Sequence, residues 1–166
     1  MNVVLIGYRG TGKSTVGKIV AARLGRVLVS TDAEIVKLSG QTIPDIVEQH
    51  GWEYFRDLES NVCQELAGRN GLVIDTGGGA ILRPRNVELL KETGRLFWLT
   101  ASVGTITERI VHDTQRPSLT GVKSFVDEIQ DVLRDRTPKY QAAADYIIET
   151  DERSATQVAD EILSRL

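Results

Sequence analysis

Apolar residues in this chain gather in short, nearly unbroken runs: "NVVLI" at 2–6, "VLVS" at 27–30, "LVID" at 72–75, "RLFWLT" at 95–100 and "YIIET" at 146–150. Each run is too short for a helix and too uniformly apolar for a strand with one wet face. Each therefore predicts a strand of a parallel sheet covered on both sides. The intervening segments predict helices near 13–24, 33–39, 43–50, 53–69, 85–93, 102–112, 124–141 and 154–165. Strand and helix taking turns imply a doubly wound α/β sheet with right-handed crossovers, whose ligands sit beyond the carboxyl ends of the strands. No repeat, low-complexity tract or linker breaks the alternation, and 166 residues make one domain. A substrate site must then be built from insertions within that same domain.

Composition narrows the function classes. With 41% hydrophobic and 26% charged residues and no apolar run near the ~20 residues that span a bilayer, membrane insertion is not expected. The start "MNVVLIGYRG" runs straight into a glycine loop and reads as structure, not as a leader. A net charge of −3 argues against general nucleic-acid binding, which needs a dense basic face. The single cysteine, Cys63, fits a cytoplasmic location and lies beside the helical stripe Phe55, Leu58, Val62, Leu66, as a small buried residue would. His50 and His112 have no ligand-spaced partners and read as solvated or helix-end residues. No patch suggests an interface, so a monomer is expected.

The first strand leads into Gly7-Tyr8-Arg9-Gly10-Thr11-Gly12-Lys13-Ser14, followed by Thr15 and a helix. Gly, four residues, then Gly-Lys-Ser is the phosphate-loop spacing. Its glycines let backbone N–H groups turn inward and the next helix adds its positive end, which makes a nest for a di- or triphosphate. Lys13 brings a mobile charge to the β- and γ-phosphates, and Ser14 offers an oxygen to Mg²⁺. The loop leaves open whether the γ-phosphate goes to water, a protein or a small molecule.

Three features beyond the loop converge on a small anionic acceptor. Asp32, just past the second strand, is placed either to take or orient a hydroxyl proton or to cap a helix. "WEYFRDLE" sets Arg56 and Glu59 at i, i+3, either as an exposed ion pair or as a guanidinium held ready for a carboxylate. Gly77, Gly78 and Gly79 follow the third strand and suggest a place where something lies against bare backbone. Further on, "HDTQRPSLTG" has the make-up of a mobile loop with Arg116 near its tip, as a lid or as a plain surface loop. Arg136 stands shortly before Pro138, where a helix end would favour a cation anyway.

Taken together, "GYRGTGKSTVGK", "TDAEI", "EYFRDLE", "TGGGAILRPRN", "LFWLTAS", "RPSL" and "RTPKY" resemble the shikimate kinase family in order and spacing along nearly the whole chain. The resemblance implies a three-layer α/β/α fold with a five-stranded parallel sheet, a substrate-binding segment at about 31–60 and a lid at about 112–124. It also implies transfer of the γ-phosphate of ATP, with Mg²⁺, to the 3-hydroxyl of shikimate. On the matching positions, Gly10, Thr11, Gly12, Lys13, Ser14 and Thr15 would hold the nucleotide and Arg116 would be the lid arginine. Asp32 would hold the acceptor hydroxyls, Arg56, Arg136 and the Gly77–Gly79 backbone the carboxylate, and Arg153 would lie near adenine. Another small-molecule or nucleoside-monophosphate kinase, a gluconate kinase, and a non-catalytic nucleotide or shikimate sensor are the competing readings.

One position departs from that pattern. In the family the second strand usually ends in Asp-x-Asp, the first carboxylate helping to hold Mg²⁺, whereas this chain has Ser30-Thr31-Asp32. It carries instead an extra carboxylate, Asp75, at the end of "LVID". The expectation is that Ser14 and Asp75 form the metal site.

Overall fold

The computed structural model describes residues 1–111 and 125–166. Five strands form one parallel sheet: β1 (Asn2–Ile6), β2 (Val27–Ser30), β3 (Leu72–Asp75), β4 (Gly94–Thr100) and β5 (Tyr146–Glu149), in the spatial order β2-β3-β1-β4-β5. The helices are α1 (Lys13–Leu24), α2 (Thr31–Ser39), α3 (Ile43–His50), α4 (Trp52–Ala67), α5 (Pro84–Thr93), α6 (Val103–Ile110), α7 (Phe125–Ala143) and α8 (Ala155–Ser164). A 3₁₀ turn over Ala80–Leu82, absent from the sequence reading, follows the three glycines.

The unbroken apolar runs have the expected cause. Alternate residues of a strand point to opposite faces, and both faces of the central strand are covered. Val4 and Ile6 join Ile74 and Leu96 in a core with Ile46, Phe55, Val62 and Leu90 from α3, α4 and α5. Val3 and Leu5 join Val73, Phe97 and Leu99 in a second core with Val16, Val20 and Val158 from α1 and α8. The one polar residue of β1, Asn2, is fully buried and satisfied, donating to the Arg69 carbonyl at 2.8 Å and accepting from the Leu72 N–H at 2.9 Å. It fastens the start of β1 to the start of β3.

This packing positions the site. From β1 the chain leaves towards the α1/α8 layer, and from β3 it leaves towards the α4/α5 layer. The two neighbouring strands thus part company at their carboxyl ends, where open α/β sheets place their ligands. Observed boundaries differ from expectation by a residue or two at most helix ends. The helix expected over 124–141 runs through Pro138 to Ala143, so Arg136 is an interior helical residue and the alternative reading of it as a helix-end cation is overturned. A proline removes one helical hydrogen bond and crowds the preceding turn. Burial of Tyr140 and Ala143 against the α4/α5 side core holds the last turn in place regardless. The expected lid at 112–124, with His112 and Arg116, lies outside the described residues.

Candidate active site

The glycine loop joins β1 to α1. Gly10 and Gly12 take φ of +82° and +92°, the left-handed region that residues with a Cβ adopt at a cost. Gly12 caps α1 without any side-chain hydrogen bond, and no acidic residue stands in the first turn. The leading N–H groups of a twelve-residue helix are therefore left for an anion. The buried Lys13 ammonium curls back over the loop, donating to the Gly7 carbonyl at 2.8 Å and the Tyr8 carbonyl at 3.0 Å. Ser14 and Thr15, the next two residues, are exposed to the cleft.

Strand register brings three chain segments level with that loop. Asp75 pairs with Leu5 on one side and with Ser30 on the other. Its carboxylate Oδ2 accepts a 2.6 Å hydrogen bond from the Ser14 hydroxyl. Burial pushes the Asp75 carboxyl above the ordinary range; the Lys13 charge and the Ser14 bond oppose that rise, and the Asp32 charge adds to it. Ser30 accepts from the Ala33 N–H at 3.2 Å and so is the N-cap of α2, which overturns the capping alternative for Asp32. Asp32 sits in the first turn of α2, half-buried, on the cleft wall.

The three glycines are tied from several sides. Thr31 accepts from the Gly77 N–H at 2.8 Å, Thr76 donates to the Leu5 carbonyl at 2.8 Å, and the Tyr140 hydroxyl donates to the Gly78 carbonyl at 2.5 Å. Side chains crowd the space their Cβ atoms would take. A Cβ on Gly77 would lie 2.7 Å from both Asp32 Oδ1 and Glu59 Oε2, and one on Gly79 would lie 2.3 Å from Arg56 Cζ. On Gly78 it would lie 3.4 Å from Arg136 Nη1. The triple glycine is thus the space that lets Asp32, Glu59, Arg56 and Arg136 converge.

Arg56 and Glu59 are not the exposed pair that their spacing equally allowed. Their 2.9 Å bond is buried, with side chains 9% and 0% exposed. The guanidinium also lies over the rings of Trp52 and Phe55, 5.4 and 5.2 Å from their centroids. Cys63 is fully buried, its thiol pushed up to about 12 by burial first and Glu59 second, which fits the packing role expected of it. His50 ends α3 and stacks on Tyr54.

A cleft of about 600 Å³ runs from the glycine loop past Ser30, Asp32 and Asp75 to Gly77 and Gly78. A neighbouring hollow of about 210 Å³ is lined by Gly12, Thr15, Arg109, Thr150 and Arg153. Arg153 faces it with its guanidinium already engaged, donating to the carbonyls of Glu149 and Gln157 and to Glu161. Arg109, which sequence reasoning missed, borders both spaces and donates to the Gly10 carbonyl at 3.0 Å. No motif surrounds it; only its place on the helix after β4 could have marked it.

One crevice brings together a helix start with no side-chain cap, its lysine, and a carboxylate beside a serine. Two buried arginines, Arg56 and Arg136, do not line that crevice but stand against Gly79 and Gly78 at its end. The shikimate kinase family profile matches residues 9–166. This chain belongs to the shikimate kinase family. It is 42% identical to the shikimate kinase of Syntrophus aciditrophicus, covering 99% of this chain and 90% of that protein. It is also 42% identical to that of Nitratidesulfovibrio vulgaris, covering 95% and 91%. Shikimate kinase from Acinetobacter baumannii, solved in complex with shikimate, superposes with a TM-score of 0.94 at 40% identity, covering 99% of this chain and 91% of that one. The five-stranded parallel phosphate-loop fold is the fold of these family members. Among the described residues no helix is long and apolar enough to cross a membrane.

The family's kinases act on nucleotide triphosphates, for which a divalent cation is the usual companion. Among the described residues no group of three His, Cys, Asp or Glu side chains could hold a metal alone. Ser14 and Asp75 offer hard oxygen donors side by side, which fits Mg²⁺ bound chiefly by phosphates and water.

Proposed function

We propose that this protein transfers the γ-phosphoryl group of ATP to the 3-hydroxyl of shikimate. The observation that carries the reading is the convergence on the Gly77–Gly79 turn. One cleft joins the phosphate loop to that turn, where the buried Arg56–Glu59 pair, Arg136 and Asp32 meet. A compact acceptor with a carboxylate at one end and a hydroxyl at the other suits that spacing of charges.

Phosphoryl transfer asks the protein for in-line placement and for positive charge on the phosphate oxygens. Lys13 and the N–H groups of residues 10–15 supply that charge, joined by Arg116 where the family's lid arginine stands. Lys13 exchanges its bonds to the Gly7 and Tyr8 carbonyls for phosphate oxygens. Ser14 and Asp75 would hold Mg²⁺, which when bound would supply further positive charge to the phosphates. Arg56, fixed by Glu59, and Arg136 grip the acceptor carboxylate together with the Gly78 backbone, leaving Asp32 to orient the hydroxyl and take its proton. Positioning of that kind contributes on the order of 7–11 kcal/mol when the geometry is close to attack, against ~10²–10⁴-fold for a general base. Arg153 forms part of the wall of the hollow beside Gly12, where adenine is proposed to lie. A coupled ADP-release assay across shikimate, gluconate and nucleoside monophosphates tests the assignment. Turnover confined to shikimate is expected, and preference for either of the others would overturn it.

A further inference from the structure

Only two of the described residues lining the cleft are carboxylates, Asp32 and Asp75, and they have different neighbours. Asp32 Oδ1 points at the position a Gly77 Cβ would take, on the side shared with Glu59. Asp75 is bonded to the hydroxyl of Ser14 in the first turn of α1, where phosphates would arrive. The third oxygen at this level, Ser30 Oγ, is neutral and occupied in capping α2. Register sets Ser30 and Asp75 directly beside each other on adjacent parallel strands, so a carboxylate at either position projects from the same edge of the cleft.

Resting on the kinase reading above, we propose that the two carboxylates divide the labour: Asp75 at the end of β3, with Ser14, anchors the divalent cation that arrives with the nucleotide, while Ser30 takes no part in holding it. Two properties of the pair support this. A carboxylate orders the ligand or water that meets the cation, and loss of such a group typically weakens a metal site by about 10–100-fold. With a single serine and a single carboxylate as protein donors, the remaining ligands are phosphate and water oxygens, so the site fills only when nucleotide is present. The Ser14–Asp75 bond keeps both donors aligned until then. The adjacency of positions 30 and 75 also makes the anchor transferable: a carboxylate moved one strand over, to position 30, reaches the same rim.

The test follows Mn²⁺ by electron paramagnetic resonance in the full-length protein with ADP, without any acceptor, so that the readout is cation binding and not turnover. Wild-type protein is expected to bind Mn²⁺ tightly with ADP and negligibly without it. Asp75→Asn should weaken Mn²⁺ about 10–100-fold while its affinity for metal-free ADP, the check on folding, stays within about threefold. Ser30→Ala should leave Mn²⁺ affinity within about twofold, although it loses a helix cap. The double variant Ser30→Asp/Asp75→Ser should regain most of the affinity that Asp75→Ser loses, which separates charge placement from mere structural support. Unchanged Mn²⁺ affinity in Asp75→Asn, a large loss in Ser30→Ala, or no recovery in the double variant overturns the proposal. Absence of shikimate turnover with these Mn²⁺ differences intact would overturn the acceptor assignment and leave the anchor standing.

Discussion

Replacing Gly79 by alanine tests the acceptor grip without touching a charged group. The backbone there has φ −98° and ψ 7°, which any L-residue adopts, so the new methyl acts only as a wedge. It would arrive 2.3 Å from Arg56 Cζ and Nη1 and 2.4 Å from Nη2. Carbon atoms in contact sit about 3.5–4.0 Å apart, so the guanidinium must retreat by more than ~1 Å. The backbone need not move, because the obstruction is the end of a long side chain; the protein should fold. The guanidinium has nowhere equivalent to go, since Glu59 holds it at 2.9 Å and two aromatic rings flank it. A charge-assisted bond needs its atoms within about 2.7–2.9 Å, and losing one costs about 1.5–3 kcal/mol. The KM for shikimate should therefore rise roughly 10- to 150-fold, 1.4 kcal/mol being a factor of ten. The KM for ATP should move less than about threefold. Gly104→Ala is the control, since nothing lies within 4 Å of its Cβ position. The measurement is initial-rate ADP release at varied shikimate and saturating ATP, with circular dichroism confirming the fold. A folded Gly79→Ala protein whose shikimate KM stays within twofold of wild type would refute the placement of Arg56 at the acceptor.

Lys13→Ala and Asp32→Asn should depress kcat by at least about 10²-fold, whereas Arg56→Ala should act mainly through the shikimate KM; the reverse split in steady-state kinetics would exchange their roles. Tyr140→Phe removes the hydroxyl that donates to the Gly78 carbonyl and leaves a buried acceptor unpaired, costing about 1–3 kcal/mol, or roughly 2–4 °C of Tm for each kcal/mol in thermal melts. Asp151 links the start of α6 to the β5–α8 loop by accepting from the Thr105 hydroxyl and from the Ser102 N–H and hydroxyl, bonds that hold its carboxyl below the usual range, the Thr105 bond foremost. Its ionised form is the stabilising one, so the advantage of wild type over Asp151→Ala, about 1 kcal/mol for a half-buried group at the surface, should be full above the ordinary carboxylate range. That advantage should vanish as pH falls through the lowered value. Urea titrations at pH 7 and near pH 2.5 check that the two proteins converge in acid.

Which of these features could be read from the residues alone follows from how local their causes are. The strands were legible because a strand covered on both faces must be apolar throughout, and β1 satisfies that at every residue except Asn2, whose amide is fully bonded. The phosphate loop was legible because its glycines answer to backbone angles within the same eight residues. Arg56 and Glu59 were legible as a pair, their spacing being a property of one helix. Their burial was not, because it depends on α4 packing beside a turn some twenty residues downstream. Arg109 was silent for the same reason: its partners, the Gly10 carbonyl and Thr150, lie about 99 and 41 residues away in the chain. The helix across Pro138 was expected, and its last turn is secured by Tyr140 reaching across to Gly78 and stacking on Trp98; only the helix-end reading of Arg136 pointed the wrong way.

The three-glycine turn explains why these distant pieces depend on one another. Asp32, Arg56, Glu59 and Arg136 come from three different helices, and each approaches a glycine to a distance that a side chain would forbid or crowd. Burying two arginines and a glutamate in one place, with a half-buried aspartate beside them, is costly unless they answer each other. Here Glu59 balances Arg56 directly, and Thr31 and Tyr140 hold the turn through its own backbone. Removing any one partner should leave the others as uncompensated buried charges. Effects of paired changes at Gly79, Arg56 and Glu59 should then be strongly non-additive: once Gly79→Ala has displaced the guanidinium, Glu59→Gln should add less than its single-variant effect on the shikimate KM. Strict additivity in that double-mutant cycle would show that the turn and the ion pair act independently, against the interlocked geometry described here.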